Sequence, residues 1–285
     1  MHDQWLDKQA YPFRSGYYHI GNFRLHYIDE GQGETLVFVH GTPSWSFDFR
    51  NVIKRLKLKY RCIAIDHIGF GLSDKPEHYD YSTLNHSLTL EKFILDLQLD
   101  NITLVVHDFG GPIGLHFAIR NPGKIKRLVI LNTWLWNSSE DPGFKKFSKI
   151  LRSPLLPLLY RYLNFSPRFI LPNSFGDKKL SRKTLKQFTK PFANSKERNG
   201  PLAFAKSLLN DQEWFGELWE KREAISYKPT LLIWGMKDAV IKPHYLDRFI
   251  AGFPSSKVLK LPGTGHFPQE ESPDEVAAAI EKFMQ

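Results

Sequence analysis

Between Thr35 and Leu131 the chain repeats one pattern: a short, almost wholly apolar run, then a stretch with apolar residues at helical spacing. The runs are Thr35–Val39, Tyr60–Ile65, Ile102–Val106 and Arg127–Leu131; the amphipathic stretches are Trp45–Leu56, Leu84–Leu97 and Gly110–Arg120. A strand with one wet face alternates apolar and polar residues, whereas a strand buried on both faces reads as a continuous apolar run. Repeated units of this kind predict an α/β fold whose mostly parallel sheet carries helices on both faces. Ahead of them, Tyr17–Ile20 and Phe23–Asp29 read as a hairpin turning at Gly21-Asn22.

The rhythm stops near Trp136. From there to Tyr227 no strand is evident, and short helical patterns are broken by Pro142, Pro154, Pro157, Pro167 and Pro172. It resumes with a strand at Thr230–Trp234, a helix at Tyr245–Phe253, a strand at Val258–Leu261 and a helix at Asp274–Phe283. The expected organisation is one core domain in two pieces, residues 1–135 and 228–285, with a helical cap, residues 136–227, inserted between them.

Composition narrows the function classes. The net charge of +9 comes from 39 Lys+Arg and 30 Asp+Glu, and it is concentrated. From Phe144 to Arg198 there are 14 Lys+Arg against Asp177 and Glu197, a net of +12, leaving −3 elsewhere. Such a stretch suits nucleic acid, anionic lipid or anionic ligands, or is a solvated helical face. No finger spacing, RNP-type aromatic pattern or GXXG loop accompanies it, so no nucleic-acid partner is expected. Cys62 is the single cysteine, which excludes an internal disulfide and a Cys-based metal site. No apolar leader is visible in MHDQWLDKQAYPFRSG and no run of about 18 apolar residues occurs, so a cytoplasmic protein without a membrane span is expected.

Three segments carry candidate chemistry. Leu104-Val105-Val106-His107-Asp108-Phe109-Gly110-Gly111 runs from a strand straight into a helix. Asp108 is then either the exposed centre of a sharp strand-to-helix turn or an ordinary helix-capping aspartate. Leu231–Asp238 is a strand ending in a loop with an acid, and Leu261–Phe267 a strand ending in a Gly-rich loop with His266. The order Asp108, Asp238, His266 is the nucleophile–acid–histidine order of the α/β-hydrolase fold, and each lies where open α/β sheets bind ligands. The loop Val39-His40-Gly41-Thr42-Pro43 corresponds to the one that supplies an oxyanion-hole N–H in that fold. The expected hole is therefore the backbone N–H of Thr42 and that of Phe109. His40, His67 and His107 read as scaffold, and no histidine pair has metal-ligand spacing.

The blocks HGTPSWSFDFRNVI, DHIGFGLSDKP, VVHDFGGPIGL, LVILNTWLW, WGMKDAVI and GTGHFPQEESPDEV together resemble the haloalkane dehalogenase family. The resemblance covers nearly all of the sheet domain and the insertion only weakly. It is closest to subfamilies whose catalytic acid follows the strand after the cap. It implies Asp108 as nucleophile, His266 as base and Asp238 as the acid that orients it. It also implies no cofactor and no metal, with a small apolar halogenated substrate and water as partners and halide as a product.

A carboxylate nucleophile suits displacement at saturated carbon, giving an alkyl ester; at an ester or amide it would give a more reactive anhydride. Alkyl halides and epoxides fit, and with no Ser or Cys at the turn an esterase does not. In the dehalogenase family a Trp commonly follows the nucleophile and binds halide, and an Asn often stands where Thr42 does. Here Phe109 has no such donor, so Trp136, Trp214 or Trp219 is a candidate substitute. Epoxide hydrolysis, the second reading, wants tyrosine hydroxyls from the cap. Tyr160 and Tyr162, at i and i+2, do not share a helix face and are expected on the cap's surface. A non-turnover binding protein on the same scaffold is the third reading. Most cap phenylalanines, among them Phe144, Phe147, Phe188 and Phe204, are expected in the cap's core, with some lining a cavity against the sheet.

Overall fold

A computed structural model describes residues 4–285. Residues 1–3, where the expected core segment and leader-free stretch begin, lie outside the described residues. Eight strands form one sheet in the order β1-β2-β4-β3-β5-β6-β7-β8. β1 (Ser15–Ile20) and β2 (Phe23–Glu30) make the expected hairpin, and β2 pairs antiparallel with β4 (Arg61–Ile65). β3 (Thr35–Val39), β4, β5 (Ile102–His107), β6 (Ile125–Leu131), β7 (Thr230–Gly235) and β8 (Ser256–Leu261) run parallel.

Alternate strand residues feed two cores, as the period-2 geometry of a strand demands. Val37, Val39, Leu104 and Val106 point to one side, where α2 (Thr83–Asp96) and α3 (Gly110–Arg120) pack with Phe93, Ile94, Ile113 and Phe117. Leu36, Phe38, Val105 and Val129 point to the other, covered by Val52 and Ile53 of α1 (Arg50–Leu56) and by the C-terminal helix with Val276 and Ile280. The predicted helix at Trp45–Leu56 divides: Ser46–Phe49 is a 3₁₀ turn, which lets Trp45 and Phe47 stack at 5.2 Å. β6 begins two residues before its predicted start, because a register shift opposite Ile102/Thr103 leaves Lys126 exposed and interrupts the apolar run.

Between β6 and β7 the described chain is helical. It contains α4 (Pro142–Leu151), α5 (Leu156–Leu163), α6 (Leu171–Asn173), α7 (Arg182–Thr189), α8 (Asn199–Asn210), α9 (Gln212–Glu220) and α10 (Glu223–Ser226). Ser166–Ile170 adds one π-helical turn. α11 (His244–Gly252) follows β7, and α12 (Pro268–Glu271) and α13 (Pro273–Met284) follow β8. No helix among the described residues is long and apolar enough to cross a membrane. The three segments that bear candidate chemistry and the loop of residues 39–43 leave the sheet at the C-terminal ends of parallel strands, so they meet along one edge.

Candidate active site

Asp108 stands at the turn between β5 and α3 with φ +52°. That left-handed backbone is costly for a residue with a side chain and is held here by its surroundings. Gly111 makes room for it: a Cβ there would lie 1.8 Å from Thr133 Oγ1. The Thr133 hydroxyl donates to the Asp108 carbonyl at 2.6 Å. Gly41 is equally constrained, since a Cβ would lie 2.0 Å from Asp108 Oδ1. The turn is thus the sharp elbow and not a simple helix cap, and it lifts the carboxylate above the sheet.

Asp108, His266 and Asp238 come together. His266 Nε2 is 3.3 Å from Asp108 Oδ2, and His266 Nδ1 is 2.7 Å from Asp238 Oδ2. Asp238 is itself fully engaged. Its Oδ2 accepts from Asn132 Nδ2 at 2.8 Å, and its Oδ1 accepts the N–H groups of Val240 and Ile241 at 2.7 and 2.9 Å. Those bonds fix the carboxylate so that the imidazole keeps a proton on Nδ1. The Thr42 N–H donates to Asp108 Oδ1 at 2.7 Å, and the Phe109 N–H also favours the ionised carboxyl.

Burial alone would drive the His266 imidazolium down, but Asp238 and then Asp108 outweigh it and push its pKa up to about 10. Burial raises the Asp108 carboxyl, yet His266 more than offsets this and holds it below the ordinary aspartate value. Both directions favour an imidazolium at His266 beside an ionised Asp108. Three further buried histidines are tied to the backbone and to one another. His40 Nδ1 faces the Gly41 carbonyl, His67 N donates to His40 Nε2, and His107 Nε2 faces the His266 carbonyl at 2.7 Å.

A largely apolar cavity of about 70 Å³ opens over Asp108 and His266. Its floor is Thr42, Phe109, Trp134 and Phe267, and its roof includes Phe147, Leu151, Tyr160, Ser166, Ile170 and Leu208. A vestibule of about 290 Å³ adjoins it, sharing Trp134, Phe147, Leu208, Val240 and Ile241 and reaching out past Phe144 and Tyr245. A larger polar cleft of about 540 Å³, between Arg24, Asp74 and Glu197, touches none of the residues above.

Two expectations are corrected here. Tyr160 is not on the cap's surface: it is buried and lines the cavity, while Tyr162 is exposed as expected. Burial pushes the Tyr160 hydroxyl up to about 12, with Ser166 lowering and Asp108 raising it, so it stays a donor. Nor do Trp136, Trp214 and Trp219 border the cavity. Trp136 packs on Trp219 and Phe249, and Trp214 on His116. The indole that does is Trp134, which also packs edge to face on Phe109. The segment after Leu131 has no regular structure, so no periodicity said which ring of Asn132-Thr133-Trp134-Leu135-Trp136 faces inward.

The sheet order, the elbow and the three converging side chains define an α/β-hydrolase-fold protein. A family model described as alpha/beta hydrolase fold matches residues 34–273. "Haloalkane dehalogenase 2" of Mycobacterium tuberculosis is 35% identical over 282 residues, covering 97% of both chains. "Cis-3-alkyl-4-alkyloxetan-2-one decarboxylase" of Shewanella oneidensis is 36% identical over 282 residues, covering 96% of this chain and 89% of that one. Among solved structures, the haloalkane dehalogenase DatA of Agrobacterium tumefaciens C58 superposes with a TM-score of 0.86 at 24% identity, covering 95% of this chain and 96% of that one. Within the α/β-hydrolase superfamily, the chain belongs to the haloalkane dehalogenase family.

Proposed function

We propose that this protein hydrolyses carbon–halogen bonds of haloalkanes through an ester on Asp108, beneath a cap formed by residues 136–227. One observation carries the reading: the group at the elbow is a carboxylate, set in an apolar cavity, with an imidazole 3.3 Å away. Asp108 Oδ2 attacks the saturated carbon; the new C–O bond forms as the C–X bond breaks, and halide leaves with the electron pair. Trp134, Thr42 and Tyr160 are the donors available to it. The Thr42 hydroxyl is buried and has no hydrogen-bond partner among the described residues.

Esterification removes one of the two charges that keep His266 protonated. The imidazolium then loses its proton to solvent and becomes the base that takes a proton from water. The hydroxide adds to the ester carbonyl of Asp108, and the Thr42 and Phe109 N–H groups hold the oxyanion. Collapse expels the alcohol, which takes its proton from His266, and Asp108 returns its carboxyl proton to the imidazole. The balance is haloalkane and water to alcohol, halide and a proton, with no cofactor. We also propose a cytoplasmic location, which a single buried thiol, Cys62, suits.

The Tyr160 hydroxyl favours a second reading, a strained ring whose leaving group is oxygen: an epoxide, or the oxetan-2-one class named for the Shewanella relative. Intact mass of His266→Phe after incubation with bromoalkanes, epoxides and oxetan-2-ones separates them. An alkyl adduct lacking halogen, absent from Asp108→Ala, is expected. An adduct retaining a whole ring would promote the second reading. No adduct from any panel would overturn both and favour a binding protein.

A further inference from the structure

The basic segment has an outward face that this chemistry does not use. Between Pro142 and Gly176 the sequence holds Lys145, Lys146, Lys149, Arg152, Arg161 and Arg168 and not one Asp or Glu. Among the described residues only Lys145 of these six is ion-paired, to Glu140. A solvated charged face would explain the cations. It does not explain what stands among them: Ile150, Leu155, Leu158, Tyr162 and Phe169 are 56, 60, 52, 69 and 48% exposed. Leu155, Leu158 and Tyr162 fall at i, i+3 and i+7, one stripe along α5 and its N-cap. The opposite side, Leu156 and Tyr160, is already buried. α5 is therefore apolar on two sides, and only one is covered. On α4, Phe144 and Phe147 line the vestibule while Lys146, Lys149 and Ile150 face outward.

We propose that this face docks the protein on an anionic lipid bilayer. Leu155, Leu158 and Tyr162 enter the boundary between headgroups and acyl chains, and the surrounding Lys and Arg meet lipid phosphates. Charge argues for this occupant over a second copy: a self-complementary contact would set five unpaired cations against five, with the Glu140 carboxylate already engaged by Lys145. A bilayer surface complements the whole face and needs no groove, which suits side chains that protrude. Because α4 carries both the outer face and two vestibule residues, docking brings the entrance of the cavity close to the lipid. The proposal does not depend on which bond the site cleaves.

The test is flotation of the full chain with two kinds of vesicle, phosphatidylcholine alone and phosphatidylcholine with one third phosphatidylglycerol. Binding to the anionic vesicles, weakened in ~1 M salt where the Debye length is ~3 Å, is expected. Lys146→Gln/Lys149→Gln should weaken it about fivefold per charge. Leu155→Ser/Leu158→Ser should weaken it about tenfold at unchanged Tm and circular dichroism. Failure of the wild type to float overturns the proposal. So does binding that the serine variant leaves intact, which would be electrostatic adhesion alone. Equal retention on polyglutamate, marking an acidic protein partner, would also overturn it. So would a wild-type dimer in sedimentation velocity that Leu158→Ser converts to a monomer.

Discussion

Phe109 and Trp134 meet edge to face, ring centres 4.9 Å apart, with Phe204 closing on the other side of Phe109 at 4.6 Å. The residue after the elbow is thus a packing element, and the indole beside it, which borders the cavity, is the leaving-group donor proposed above. Trp134→Phe keeps the ring and deletes the N–H. A hydrogen bond to a charged group is worth ~1.5–3 kcal/mol, so halide release should slow ~10- to 150-fold, chiefly in kcat. Thr42→Val should also slow it, at no cost in Tm, because the buried Thr42 hydroxyl has no partner to lose among the described residues. Halide assays and thermal melts check both, and an unchanged rate in Trp134→Phe would remove the indole from the mechanism.

The same packing predicts that placing an indole at position 109 does not simply add a donor. Phe109 is 1% exposed between two rings. Phe109→Trp overfills that space and should cost ~1–3 kcal/mol of stability. Denaturant unfolding measures it, and a variant as stable as wild type would show that Trp134 and Phe204 can yield.

Tyr160→Phe separates the two leaving-group chemistries. An alkoxide needs a proton, whereas a halide needs only a hydrogen bond. Alkylation by an epoxide should therefore fall by at least the ~10²-fold typical of a lost general acid, and alkylation by a bromoalkane far less. Single-turnover ester formation in the His266→Phe background reads this directly. Equal losses would make Tyr160 a shared positioning residue.

What the sequence disclosed and what it hid divide along a physical line. Asp108 and Asp238 follow apolar runs that announce buried parallel strands, His266 follows the shorter apolar signal of the edge strand, and the C-terminal ends of all three share one edge. Their convergence follows from local pattern plus topology. Trp134 and Tyr160 reach the cavity only through how the helical segment closes on the sheet, a packing outcome with no local signature. Helical spacing correctly separated Tyr160 from Tyr162 but did not say which side is covered. The buried bonds from Gln269 to Asp48, 221 residues apart, and to His107, 162 residues apart, were equally out of reach.

His266 should make stability fall in alkaline solution. Its pKa is raised from 6.5 to about 10, so the folded protein keeps a proton that the unfolded chain releases. That contribution is complete below pH 6.5 and is lost as pH rises towards about 10. Asp238→Asn removes the largest source of the rise, so the alkaline fall in Tm should shrink. Ester formation should stay flat across neutral pH, since His266 holds Asp108 ionised, whereas ester hydrolysis should rise with pH as the imidazolium of the alkylated enzyme deprotonates. Rapid-quench measurement of the two steps checks this, and a hydrolysis rate independent of pH would exclude His266 as the base.

Asp48 should add a second slope at lower pH. It is wholly buried, accepts from Ser44 Oγ at 2.6 Å and Gln269 Nε2 at 3.1 Å, and its Oδ1 has no hydrogen-bond partner among the described residues. Burial outweighs those bonds and raises its pKa from 3.8 to about 7. The folded state therefore binds a proton that the unfolded state gives up above pH 3.8, and stability from this group declines as pH climbs to about 7. Asp48→Asn mimics the protonated form in shape and cannot titrate, so Tm between pH 4 and 7 should lose that component while wild type retains it. The site is expected to feel the change, because Gln269 bridges Asp48 to His107 at 3.0 Å and His107 holds the His266 carbonyl at 2.7 Å. Ionising Asp48 strengthens its pull on the Gln269 amide at the expense of His107. Ester hydrolysis in wild type should then carry an inflection near neutrality that Asp48→Asn lacks, and identical profiles for the two proteins would show that the network holds His266 in place without regulating it.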